Sequence, residues 1–118
     1  MHYIRFMRPF LHPRPEEITL QAVLHALTDP ERLALFGRIA GHDAAPVSCI
    51  RCAPGDMPKS SLSRHMQILR EAGLVRSERR GSAVVNLSRA GEVETRFPGL
   101  LGCILAAAGP AIPTGPLR

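Results

Sequence analysis

The chain has 118 residues and a net charge of +5, with 45% hydrophobic residues, 4% aromatic and no Trp. That length allows one modest core, and a core of Leu, Ile, Val and Ala suits helices better than a sandwich or barrel. The most apolar run, Phe97 to Ala108, is too short to span a bilayer, and the basic N-terminus lacks the apolar stretch of a signal peptide; a cytoplasmic protein with no membrane partner is expected. Three cysteines, Cys49, Cys52 and Cys103, form no disulfide framework.

The charge is concentrated. Residues 59–80 hold six bases (Lys59, Arg64, Arg70, Arg76, Arg79, Arg80) against Glu71 and Glu78, so most of the excess falls in one window. Such a footprint fits a polyanionic partner.

In chain order, residues 1–15, broken by Pro9, Pro13 and Pro15, read as an N-terminal arm. Residues 16–108 read as one domain, and the Pro/Gly-rich 109–118 as a flexible tail. A helical period starts at Glu16, with Leu20, Leu24 and Leu27 at i, i+4, i+7 and Val23 beside them. Asp29 as N-cap and Pro30 at the first helical position open a second helix that buries Leu33, Phe36, Ile39 and Ala40. Between Gly41 and Pro58 the prolines and glycines leave room for one short helix, around Val47 to Cys52. The helix from Ser60 to Ala72 is the clearest: Leu62, Met66 and Leu69 repeat at i, i+4, i+7, and Gly73 stops it. Leu74 to Arg79 and Ala83 to Leu87 then read as two strands around Arg80-Gly81-Ser82. Ser88 caps a further turn or two, and Pro98 opens a last helix through Ala108. This order predicts a mainly α, winged helix-turn-helix fold of four to five helices plus a two-stranded β-wing.

The helix from Ser60 to Ala72 carries the functional signal. Its apolar stripe has His65 and Ala72 on the border, and Ser60, Ser63, Arg64, Gln67 and Glu71 lie opposite. Arg and Gln can bond base edges bidentately, and Ser can reach bases or phosphates. Lys59, Ser60 and Ser61 sit at the helix N-terminus, where free N–H groups and the dipole favour a phosphate. Arg79 and Arg80 add cations at the hairpin tip. A plain amphipathic helix with a solvated outer face would share part of this pattern. The basic hairpin and the confinement of charge to this window favour double-stranded DNA. Ile68 lies off the stripe and is expected to pack on the short preceding helix. The last helix carries no charge on any face, so Leu100, Leu101, Ile104 and Leu105 are expected to meet a second copy of the chain; complete burial inside one domain is the alternative.

Asp29-Pro30-Glu31-Arg32-Leu33, and the run from Lys59 through Ser63-Arg64-His65-Met66-Gln67-Ile68-Leu69-Arg70-Glu71-Ala72-Gly73-Leu74-Val75, resemble the ArsR/SmtB family of winged-helix repressors. Phe10 to Pro13 and Arg96 to Leu101 resemble one branch of it. The resemblance implies a dimer reading an inverted repeat, with residues 60–72 as recognition helix and 76–87 as wing. It carries function to Ser60, Ser61, Ser63, Arg64, His65 and Gln67. For His65 a buried hydrogen-bonding role stands equally open. Many relatives sense metals. Cys49 and Cys52 fall where one family site has Cys-x-Cys, but spaced Cys-x-x-Cys; the other family site is absent, because residues 88–108 contain no His and no Asp. A metal or thiol switch through Cys49 and Cys52 is a lesser alternative to plain packing. No cofactor is expected and no inducer is identifiable. No catalytic constellation accompanies the scattered histidines, so the chain is not expected to be an enzyme.

Overall fold

Short polar devices set where each helix begins and ends, and an apolar face then fixes how it packs. The computed structural model describes residues 10–41, the backbone of 47–48, and residues 56–109. A 3₁₀ turn (Pro15–Glu17) precedes α1 (Leu20–Leu27), α2 (Pro30–Gly41), β1 (Val47–Ser48), α3 (Lys59–Glu71), β2 (Val75–Arg80), β3 (Ala83–Ser88), α4 (Ala90–Arg96) and α5 (Leu100–Ala108).

The first helix starts later than the periodicity implied. Glu16 and Glu17 belong to the separate 3₁₀ turn, where the Arg14 N–H donates to Glu17 Oε1 at 2.8 Å. Ile18 is extended and sinks its side chain into the core, which ends that turn. Thr19 then caps α1, its Oγ1 accepting from the Ala22 N–H at 3.1 Å. The buried face also differs: Val23, Ala26 and Leu27 point inward, while Leu20 and Leu24 are 38% and 42% exposed. A helix with apolar residues on two sides gives no unique period, and the smaller Val23 and Ala26 are the ones that allow close approach to α2.

For α2 the expected cap is present. Asp29 Oδ1 accepts from the N–H groups of Glu31 (2.8 Å) and Arg32 (3.1 Å), and Pro30 opens the helix. Leu35, Phe36 and Ile39 are fully buried, while Leu33 and Ala40 are half-buried.

Val47–Ser48 is a strand, not the start of the expected short helix. It pairs antiparallel with β3 (Val47 with Asn86, Ser48 with Val85), extending the expected two-stranded wing to a sheet of order β1-β3-β2. The backbone groups β3 leaves unpaired on its far side give this short segment its partner. The rest of the expected helix, with Cys49 and Cys52, lies outside the described residues.

A Schellman motif closes α3, with the Leu74 N–H donating to Leu69 O and the Gly73 N–H to Arg70 O, both at 3.0 Å. Gly73 has φ 86, and a Cβ there would lie 2.6 Å from Ile18 Cγ1, so conformation and space both demand glycine. This turn aims the chain from α3 into β2. Gly81 (φ 62) opens the two-residue turn between β2 and β3, a position that hairpin turns of this length give to glycine. Ile18, Val23, Leu35, Phe36, Ile39, Met66, Leu69, Leu74, Val75 and Val93 meet in one core, each contributing roughly 1.5–3 kcal/mol by burial.

The last helix is set by a side chain from its predecessor. Glu94 in α4 accepts from the N–H groups of Leu101 (2.7 Å), Gly99 (2.9 Å) and Gly102 (3.4 Å), which closes the α5 N-terminus behind Gly99 (φ 84). Those bonds, Gly99 first and Leu101 next, hold the Glu94 carboxyl below its ordinary value. Among the described residues no helix is long and apolar enough to cross a membrane.

Candidate nucleic-acid interface

Helix α3 buries one side and leaves the other to solvent. Met66, Leu69 and His65 face inward against α1, α2 and β2, with Leu62 half-buried at the edge. Ile68 is half-buried against the same core. Lys59, Ser60, Ser63, Arg64, Gln67 and Glu71 are exposed in one strip, and Ser61 is half-buried. The strip contains the predicted base-reading pair, Arg64 and Gln67. Among the described residues no hydrogen bond or ion pair engages Lys59 or Arg64. Gln67 donates from Nε2 to Glu71 Oε2 at 3.0 Å along the same face.

Pro58 occupies the N-cap position and supplies no side-chain hydrogen bond, so the first N–H groups of α3 have no cap among the described residues. Lys59, Ser60 and Ser61 lie in this first turn, at the positive end of the helix dipole.

His65 departs from the rest of the predicted set. It is 7% exposed and turned away from the strip, toward the start of α2. Its Nδ1 lies 3.4 Å from Arg32 Nη1 and its Nε2 lies 3.0 Å from Glu31 Oε1. A guanidinium can only donate, so Nδ1 accepts and Nε2–H donates to Glu31. A ring so engaged does not reach a groove, and of the two roles open in the sequence the structure gives His65 the internal one. Arg32 completes the junction: its Nε donates to Ala26 O at 2.7 Å and its Nη2 to His25 O at 3.4 Å. One buried guanidinium therefore ties the end of α1, the cap of α2 and the inner face of α3. No sequence pattern marks this role, because the partners are the carbonyls of His25 and Ala26 and a ring 33 residues away.

Asp29, Glu31 and His65 offer donor atoms within 4.8 Å of one another, the one such group found among the described residues. The Arg32 guanidinium stands 4.0 Å from Asp29 and 3.4 Å from His65, and Asp29 Oδ1 already accepts two backbone bonds. A fixed positive charge inside the group disfavours a cation, so the group acts as a hydrogen-bonded joint.

In the hairpin, Arg76, Arg79 and Arg80 are exposed. Arg80 pairs with Glu78 at 2.9 Å on the surface, an interaction worth little and readily exchanged. Arg79 lies over the Phe10 ring at 4.7 Å, and Arg70 lies over it at 4.6 Å. The end of the arm thus rests on the wing and on the last turn of α3.

The expected self-association residues on α5 divide. Leu101 is 2% exposed, turned into the core of its own chain by the Glu94 cap, and has no surface to offer a second copy. Leu100, Ile104 and Leu105 are half-buried against the same core. Gly102, Cys103, Ala106 and Ala107 form the exposed side, and none carries charge.

Residues 27–78 match the family model described as a helix-turn-helix domain. The crystal structure of an ArsR family transcriptional regulator is similar, with 24% identity and a TM-score of 0.58 over 75% of this chain and 94% of that one. An ArsR-like transcriptional regulator from Rhodococcus sp. RHA1 is similar at 21% identity and a TM-score of 0.51, over 75% and 87% of the two chains. No curated protein matches the sequence. The matched segment runs from the end of α1 through α2 and α3 into β2, the same stretch that the Arg32 joint and the Gly73 turn hold together. The chain therefore has the winged helix-turn-helix fold of these ArsR-type regulator structures, with the helix-turn-helix likeness centred on α2 and α3.

Proposed function

We propose that the chain regulates transcription as a repressor, two copies occupying an inverted-repeat operator with α3 of each in a major groove and each β2–β3 hairpin as a flanking wing. The observation that carries this reading is the outer face of α3. It presents Ser60, Ser63, Arg64 and Gln67 beside a basic N-terminus that no side chain caps among the described residues, on a helix whose reverse side is fixed by the core. In this reading Lys59, Ser60 and Ser61 hold phosphate, Arg64 and Gln67 read bases, and Arg79 and Arg80 hold the backbone beside the groove.

Pairing of two copies is supported by the uncharged exposed side of α5 and by Leu20 and Leu24 on α1, which a lone chain leaves in water. Repression then follows from occupancy alone.

Binding of labelled duplex DNA across a salt series tests the reading. Affinity is expected to fall linearly on a log–log plot, with a slope of about −0.9 per phosphate contact. A flat dependence would favour a winged helix used as a protein-interaction surface.

A further inference from the structure

The segment from Phe10 to Pro13 runs along the outer edge of the wing. Strand β2 is the end strand of the sheet, so the outward N–H groups on its free side need partners. His12 Nε2 accepts from the Ser77 N–H at 3.0 Å. The Ser77 hydroxyl in turn donates to Asn86 Oδ1 at 2.6 Å and accepts from Arg70 Nη1 at 3.2 Å. Two residues earlier, the Phe10 ring sits under both Arg70 and Arg79. Phe10 and His12 thereby fasten the last turn of α3 to the middle of the wing. Stacking holds the face of the Arg79 guanidinium and leaves its N–H edges available for phosphate.

The His12 contact works in one protonation state only. Because the Ser77 N–H donates, Nε2 must carry no proton. Arg70 of α3, Arg76 and Glu78 of β2, and Arg89 before α4 are the charged groups that face the ring. Burial first, then the guanidiniums of Arg76, Arg89 and Arg70, hold the imidazole below its ordinary value, and only Glu78 opposes them. A proton on Nε2 would set donor against donor and add a fourth positive charge to the cluster.

We propose that Phe10 and His12 are positioning residues of the DNA-binding wing, forming a strap that holds Arg79 and the β2 edge in place and opens when His12 takes up a proton. The inference rests on the DNA-binding reading above.

The test uses the full chain and a fluorescently labelled duplex at fixed ionic strength, from pH 7.5 to pH 5. At the upper end Phe10→Ala and His12→Ala are expected to bind about three- to tenfold more weakly than wild type, the effect of losing one contact of this kind. His12→Gln keeps an acceptor and does not titrate, so it should match wild type there. On acidification wild type should fall toward His12→Ala, while His12→Gln holds its affinity. Exchange protection of the Ser77 amide reads the strap without DNA, and it should decline with pH in wild type and persist in His12→Gln. Parallel pH profiles for wild type and His12→Gln would overturn the proposal, as would wild-type affinity in both alanine variants. Protection that declines as expected while DNA affinity stays level would leave the strap standing but refute its positioning role. A wild-type chain that binds no duplex would refute the DNA-binding reading itself, and the positioning role with it.

Discussion

Helices α3 and α5 each bury one side and leave the other bare, yet the two bare sides ask for opposite partners. On α3 the bare side is polar, cationic and edged by N–H groups that no side chain caps among the described residues. On α5 it consists of Gly102, Cys103, Ala106 and Ala107, with no charge and no hydrogen-bonding side chain beyond a thiol. The first side suits a polyanion and the second a matching apolar surface. Each helix is held by a charged group on another element: Arg32 braces α3 through His65, and Glu94 caps α5. A two-fold DNA reader needs both, because the spacing of two recognition helices depends on how the copies are joined.

The largest effect is expected from placing charge on the apolar side. Ala106→Glu or Leu24→Glu should give a monomer in light scattering and weaken operator binding by about a hundredfold or more, since the second half-site no longer binds with the first. A monomeric wild type at micromolar concentration would break this half of the comparison.

On the polar side, Arg64→Ala and Gln67→Ala are each expected to cost roughly 1–3 kcal/mol of specific binding, measured by competition against a scrambled duplex. Gln67 should give the smaller loss, because it must first leave Glu71. Equal affinity for both duplexes in wild type would show that neither side chain reads bases.

Arg38 offers a contrast inside the core. It is 4% exposed, and among the described residues none of its three guanidinium nitrogens has a hydrogen-bond partner. Replacing a buried guanidinium that the described residues leave unsatisfied with an apolar chain removes a desolvation cost, so Arg38→Met should stabilise the fold by about 1–3 kcal/mol in denaturant unfolding. Its DNA affinity should stay at the wild-type level; a loss would assign Arg38 to the binding machinery.

The α5 cap gives a pH-dependent effect. The folded-state value of the Glu94 carboxyl is depressed, so its contribution is complete above the ordinary carboxyl value and fades as pH falls through the depressed one. Glu94→Gln should therefore melt below wild type at neutral pH, and the gap should close in acid. A gap constant with pH would mean that the cap contributes no charge-dependent stability. The smallest effect is expected from Arg80→Ala, which should flatten the salt slope by about one unit and leave sequence preference intact.

The sequence made the order of elements and the outer face of α3 legible, because Leu62, Met66 and Leu69 repeat cleanly and Gly73 marks a stop that the φ value and the Ile18 contact explain. It could not choose the inner face of α1, where Leu20 and Leu24 compete with Val23 and Ala26 and only packing against α2 decides. The Val47–Ser48 strand is two residues long and takes its partner from Val85 and Asn86, so no local pattern reveals it. His65 sat on the border of the apolar stripe, and its role depended on Glu31 and Arg32, more than thirty residues away. The His12 contact with Ser77 is likewise invisible to periodicity, since it joins an irregular segment to a sheet edge.

The proposed pairing of a DNA-reading face with a self-associating face is tested most directly by selecting bound sequences from a randomised duplex library with the wild-type chain. The enriched sequences are expected to form an inverted repeat with half-site centres about one helical turn, 10–10.5 bp, or a multiple of it apart. The Arg64→Ala chain should lose preference at the same position in both halves. Enrichment of a single unrepeated site, or no enrichment at all, would contradict the paired arrangement of α3 and α5.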